Sequence, residues 1–411
     1  MQEKLQRFWI YTIAAISFLF FSDSEEGISV VDVIIAAIYN GSLFIWLFWQ
    51  LAVKRKKLVD NYADLSILLF YFFVLLNFFI AFLNDVTLLI WFREFTLLSL
   101  VLYYFPIREY FSEKKHIFTL LIIFLLSILY IVFMQYYGYY RITMKDLKYA
   151  WQLIHSIRLN MALFVVLISY GTIFVLYQKK LLNRIILIGI IMLSSGALIS
   201  TFARTFWLIA LMLIFLIFLY VPVLQKMRLA RYSLILVIVI LSMISFVFKG
   251  NSKVVFSAIT QRFTSSMEGK KDISVRSRLD EYRVVIKRIK QYPLAGNGMG
   301  KFFSFHEPIK KFERRTDFIH NGYLFFAYRF GIPVFCFFLY PFIYFIIKAE
   351  NYSRLIKDEF YKKIALASLC SLLLLLISDF STTQFLQRDG VFILAVSYAF
   401  IGIITRKEKE I

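Results

Sequence analysis

Apolar residues along this chain gather into long runs, and charged residues collect in the gaps between them. The runs are roughly 17 to 25 residues long, the length at which a helix crosses the hydrocarbon core of a bilayer. Twelve spans fit, at about 8–21, 29–53, 62–83, 86–106, 117–134, 159–177, 185–201, 204–222, 232–248, 320–347, 364–380 and 390–405. The pattern predicts an all-α polytopic membrane protein with about twelve transmembrane helices. Residues 1–248 carry the first nine spans, 249–319 form a long loop, and 320–411 carry the last three spans and a tail.

The gaps are asymmetric in charge. One set holds Lys54-Arg55-Lys56-Lys57, Arg108 with Lys114 and Lys115, Lys179-Lys180, Lys226 with Arg228 and Arg231, the basic residues between Lys348 and Lys363, and the tail RKEKEI. The opposite short loops read SDSEEG, ND and STTQFLQRD. Lys and Arg in short loops mark the cytoplasmic side, so both termini are expected there. A Tyr-rich loop at 135–158 and the loop at 249–319 then lie on the far side. The long loop carries 16 Lys and Arg against 7 Asp and Glu, but loops beyond about 60 residues cross regardless of charge. Within it, SVRSRLDEYRVVIKRIKQYP spaces Leu279, Tyr282, Val285, Ile286 and Ile289 as the apolar face of a helix, with basic residues opposite. Pro293 and the glycines of PLAGNGMG end that helix in a tight turn. A basic amphipathic helix at a membrane face suits anionic headgroups or a diphosphate.

Composition agrees with this class. The chain is 60% hydrophobic and 19% aromatic, above the roughly 45 to 50% apolar content of soluble domains. The net charge of +21 reflects the long loop and the basic gaps, and no groove-and-stacking domain points to nucleic acid. Cys336 and Cys370 both sit in apolar runs, as helix-packing residues without a disulfide or metal spacing. The N-terminal run lacks a small-residue cleavage site and reads as a retained first helix. No phosphate-cradling glycine loop opens a strand-to-helix turn, and no DxD pair is present to hold a metal diphosphate. A cytosolic nucleotide-sugar site is therefore disfavoured, and no cofactor or metal is expected.

The polar residues near the spans are few enough to name. His320, one of four histidines, stands at the mouth of a span beside the basic loop; a neutral imidazole there could take a proton from a sugar hydroxyl. Its bland alternative is an interfacial histidine at a helix start. Arg204, in STFARTFWLIALM, sits at a span end, where an arginine either snorkels or binds something. Arg278 and Arg276 belong to the basic face of the loop helix, for which a solvated surface is the simple reading. Arg93 and Glu94 read as an intramembrane pair, and Asn321, Arg329, Asp379 and Arg388 as supporting residues able to pair with each other or with the site.

The order of three of these features resembles the O-antigen ligase and polymerase superfamily. The matching pieces are an arginine at a span end (TFARTFWL), an arginine opening RLDEYRVVIKRIKQYPLAGNGMGKF, and then HNGYLFFAYRFG, all within residues 195–335. The tail ISDFSTTQFLQRDG is similar to the ligase branch, which places an Asp and an Arg around its last outer turn. Two positions depart from the common pattern: Ala203 stands where a Ser is usual, and Tyr282 where a Trp is usual.

The resemblance implies a GT-C-like membrane glycosyltransferase of the bacterial inner membrane. Its donor would be a glycan on undecaprenyl diphosphate, transferred with inversion and without a metal. It assigns diphosphate binding to Arg204 and Arg278 and catalysis to His320. The acceptor would be the lipid A core for a ligase, which the Asp379 and Arg388 arrangement favours, or a second lipid-linked glycan for a polymerase. A transporter or flippase of the same lipid-linked sugar is the alternative from another class. It would distribute charges through several span interiors and show two similar halves.

Overall fold

The computed structural model describes residues 2–19, 30–143, 160–234, 252–267, 273–307 and 312–410. They are overwhelmingly helical, and among them eight helices are long and apolar enough to cross a membrane. Two further apolar helices, Met161–Tyr177 and Arg204–Tyr220, are shorter. The expected span at 232–248 lies almost wholly outside the described residues, as does most of the Tyr-rich loop. Many spans leave large apolar side chains exposed, among them Phe44, Phe79, Leu83 and Phe215, as a lipid-facing surface requires.

The chain forms two compact units. The first comprises Met1–Leu120, Ile273–Asn351 and Leu375–Ile411. Its spanning helices include α1 (Tyr62–Leu83), α2 (Leu88–Ser99, running on through Tyr110 after a tighter turn) and α3 (Arg388–Glu410). The window of α3 is 94% buried, so this helix is the one the rest of the unit packs around. Aromatic rings fill the contacts: Phe326 stacks on Phe338 at 4.2 Å between centroids, Phe345 on Tyr398 at 4.4 Å, and Phe385 meets Phe338 edge-on at 4.8 Å. Such pairs contribute about 0.5–1.5 kcal/mol each beyond the area they bury. One end of α1 is fixed by a buried polar clasp, in which Asp64 accepts from Arg108 at 2.7 Å and from the Tyr104 hydroxyl at 2.6 Å.

The second unit comprises Leu121–Asp272 and Tyr352–Leu374. Helix α4 (Met161–Tyr177) is almost entirely buried and is followed by α5 (Leu181–Ser200). Their approach is close enough that a Cβ at Gly171 would lie 2.8 Å from Ile191. Helix α6 (Arg204–Tyr220) follows α5 after the three-residue turn Thr201-Phe202-Ala203.

Three local features differ from the sequence pattern. The run at 320–347 is not one helix but two, α7 (Gly322–Phe330) and α8 (Ile332–Leu355). They part at Gly331, whose φ of 79° is left-handed and whose missing Cβ would otherwise lie 2.2 Å from the Leu294 carbonyl oxygen. The fifth span extends to Thr143, into the stretch expected as loop. The long loop contains, besides helix, an antiparallel hairpin of β1 (Phe303–Glu307) and β2 (Phe312–Thr316), registered Phe303 to Thr316.

Candidate active site

The loop helix forms as expected, as α9 (Ile273–Gln291), but its buried face is rotated from the apolar stripe read in the sequence. Glu281, Val285 and Ile289 are buried, whereas Leu279 and Ile286 are exposed. Burying an aliphatic side chain is worth about 1.5–3 kcal/mol, so Val285 and Ile289 anchor this face. A carboxylate on the same face needs a different explanation. Glu281 reaches the loop before α7: its Oε1 accepts from the His320 backbone N–H at 2.7 Å, and its Oε2 lies 2.7 Å from His320 Nδ1. The Glu281 side chain is 2% exposed and that of His320 30%. Phe318 meets the imidazole edge-on, 5.0 Å between centroids, and limits its rotation.

At the next position on the helix, the Tyr282 hydroxyl donates to the His320 carbonyl oxygen at 3.3 Å and hydrogen-bonds Asn321. Burial pushes the Tyr282 phenol up from its ordinary value, an effect the nearby Arg278 guanidinium partly offsets. The phenol therefore stays a neutral donor near pH 7. Arg278, half-buried, lies one turn before Tyr282 on the same face, whereas Arg276 is exposed. The spacing Arg278, Glu281, Tyr282 puts a guanidinium, a carboxylate and a phenol on one helical stripe.

The other side of His320 is held by the turn after the helix Glu359–Ser378. The Thr383 hydroxyl donates to the Ile319 carbonyl oxygen, and the Gly322 N–H to the Asp379 carbonyl oxygen at 2.8 Å. Asn321 caps α7 by accepting from the Leu324 N–H at 2.9 Å, and donates to the Phe380 carbonyl oxygen at 3.3 Å. Gly322 is required here, because a Cβ would lie 2.2 Å from Asp379 Oδ1. That oxygen accepts from the Gln384 N–H at 2.9 Å.

The remaining sequence candidates separate. Arg93 and Glu94 do not pair with each other: Arg93 meets Asp317 at 2.8 Å, and Glu94 meets the fully buried Arg329 at 2.9 Å. Successive residues on a helix point about 100° apart, which is why neighbours find different partners. Arg329 also donates to the carbonyl oxygens of Lys301 and Asp317, and Glu94 Oε2 accepts from the Gly300 N–H. Arg329 is thus a clasp for the glycine turn. Arg388 faces Tyr39 and its neighbour Asp389, not Asp379. Arg204 stands in the second unit as the first residue of α6. Just before it, Phe202 adopts a left-handed φ of 52°, a conformation of order 1–3 kcal/mol in cost for a bulky residue. Packing of its buried ring with Tyr139 and Ala258 holds it. Among the described residues, no three His, Cys, Asp or Glu side chains are grouped so as to hold a metal ion.

With this geometry in place, comparison with known families is decisive on one point. Residues 189–339 match the O-antigen ligase family. The matched segment contains Arg204, Arg278, Glu281 and His320, and it bears out the resemblance to the O-antigen ligase and polymerase superfamily. The apolar helices are those of a polytopic membrane protein, and the matched segment is similar to O-antigen ligases. No curated protein matches the chain. The sequence singles out His320 and Asn321, and the resemblance Arg278, but not Glu281, which enters only as one of the 7 Asp and Glu of the long loop. The available signal was its i+3 spacing from Arg278 on the stripe that continues to Val285 and Ile289.

Proposed function

We propose that the protein transfers a glycan from undecaprenyl diphosphate to an acceptor sugar on the outer face of the bacterial inner membrane, most specifically O-antigen to the lipid A core. The reading is carried by one observation: a partly exposed histidine, held on one side by Glu281 of α9 and on the other by the turn that carries Asp379 and Thr383, stands beside the helical stripe that bears Arg278. Arg278 and, by the resemblance, Arg204 bind the diphosphate. Guanidinium groups match its charge with planar, permanently charged forks and need no metal to do so. His320 accepts the proton of the acceptor hydroxyl as that oxygen attacks the anomeric carbon. The bond from that carbon to the diphosphate oxygen breaks on the opposite side, and undecaprenyl diphosphate leaves. A single displacement inverts the anomeric configuration.

The one-sided charge of the short loops supports an outward-facing site and cytoplasmic termini. The preference for the ligase reading over the polymerase reading rests on the likeness of the last outer turn, with its Asp379 and Arg388, to the ligase branch. The test is transfer by the purified protein in lipid nanodiscs, with an undecaprenyl-diphosphate-linked oligosaccharide as donor. Core lipopolysaccharide and a second donor molecule are offered as competing acceptors. Product on the core supports ligation. Lengthened lipid-linked chains alone would move the assignment to a polymerase, and no transfer to either would end the enzyme reading.

A further inference from the structure

The Glu281 carboxylate lies on a buried stripe whose next members, Val285 and Ile289, are apolar. Burying a charge costs several kcal/mol before its partner returns any of it, and buried ion pairs are often no more stabilising than hydrophobic groups of the same volume. Stability is therefore a weak reason for a glutamate at this position. Its two oxygens have two separate acceptor tasks, one toward the His320 backbone N–H and one toward the ring, both at 2.7 Å. A carboxylate only accepts hydrogen bonds, so in the neutral imidazole the proton must sit on Nδ1. The lone pair is then on Nε2, at the far side of the ring from the buried carboxylate.

We infer that Glu281 is a positioning residue for His320: it fixes the Nδ1–H tautomer and the ring orientation, so that Nε2 is the atom that takes the acceptor proton. This rests on the glycan-transfer reading for its chemical purpose, while the tautomer itself follows from the geometry alone. The same division of labour, a carboxylate orienting a histidine that does the proton transfer, is a general device of base catalysis. The step balances without a further reagent: the hydroxyl proton moves to Nε2, giving an imidazolium whose charge the adjacent carboxylate offsets, and is later released to water.

Glu281→Gln separates this role from loop anchoring. Glutamine has one acceptor oxygen for two donors, so its NH2 can satisfy the ring only by donating to Nδ1, which moves the ring proton to Nε2. The chain has four histidines, so 15N-histidine labelling, with His320→Ala to assign the resonance, reads the tautomer in the full-length protein in nanodiscs at alkaline pH. The expected result is Nδ1–H in the wild type and Nε2–H in Glu281→Gln. With it should come a fall in kcat of about 10² to 10⁴-fold, the usual span of general-base assistance, and an unchanged KM for the lipid-diphosphate donor. In the His320→Ala background the same substitution should have no further effect on kcat.

Wild-type kcat in Glu281→Gln, an Nε2–H tautomer in the wild type, or a full additional loss on top of His320→Ala would each overturn the inference. If Glu281→Gln fails to fold, the wild-type tautomer still decides it. The expected tautomer switch in a protein that transfers nothing would uphold the placement of the imidazole and overturn the transfer reading instead.

Discussion

Arg329 and Glu94, 235 residues apart in the chain, form a 2.9 Å ion pair with the guanidinium fully buried and the carboxylate side chain 6% exposed. The pair ties α2 to α7, and its outer bonds reach the glycine turn through Gly300, Lys301 and Asp317. Removing one partner strands a charge in the interior, which typically costs about 3–5 kcal/mol. Arg329→Met should therefore lower the apparent melting temperature in detergent sharply, and Glu94→Leu in the same chain should recover much of the loss. Unfolding of Arg329→Met indistinguishable from wild type would show that the clasp is not needed.

Gly322 and Asp379 make a second long-range dependence. Because a Cβ at 322 would lie 2.2 Å from Asp379 Oδ1 and 3.1 Å from its Cβ, Gly322→Ala must push the two segments apart. Overpacking of this kind costs about 1–3 kcal/mol. The shift acts beside His320, so transfer should fall more than folding does. Asp379→Ala combined with Gly322→Ala should restore part of the thermal stability. A Gly322→Ala protein with wild-type melting and rate would mean that the turn yields without consequence.

Much of this was legible in the sequence, for reasons that differ by element. The spans showed because a bilayer imposes length and apolarity on every crossing helix. His320 stands out as a polar residue at the mouth of a span in an apolar chain, whereas Arg278 is one of many basic residues on its helix and is singled out only by the resemblance. Glu281 does not stand out, because the stripe was drawn through the hydrophobic residues Leu279 and Ile286, which are exposed. In a charged helix an acid's burial depends on what packs above it. The break at Gly331 was hidden for a similar reason: its neighbours Phe330 and Ile332 are apolar, and the need for glycine comes from the distant Leu294 carbonyl. The partners of Arg93, Glu94 and Arg329 required tertiary contacts that no local pattern encodes.

Arg278 tests the diphosphate assignment. Lysine at 278 keeps the charge and loses the two-pronged donor geometry. A hydrogen bond to a charged group contributes about 1.5–3 kcal/mol, so kcat/KM for the lipid-diphosphate donor should drop about tenfold to a hundredfold or somewhat more. Folding should be nearly unaffected, since the residue is only half-buried. Equal donor use by Arg278→Lys and wild type would return this arginine to the solvated face of α9.

The neighbours His320 and Asn321 should separate cleanly, because one has its ring partly open to solvent and the other caps a helix. His320→Ala removes the proton acceptor while leaving both arginines in place, so transfer should fall about 10² to 10⁴-fold with donor binding nearly intact. Asn321→Ala deletes the cap on the Leu324 N–H, a loss of about 1 kcal/mol, and should lower stability with a partial effect on rate. Asn321→Asp keeps an acceptor oxygen at the cap and should hold the stability close to wild type. The measurement is a pair of numbers for each variant, the single-turnover transfer rate and the apparent melting temperature. A His320→Ala protein that transfers glycan at the wild-type rate would leave His320 as no more than the residue before a helix cap.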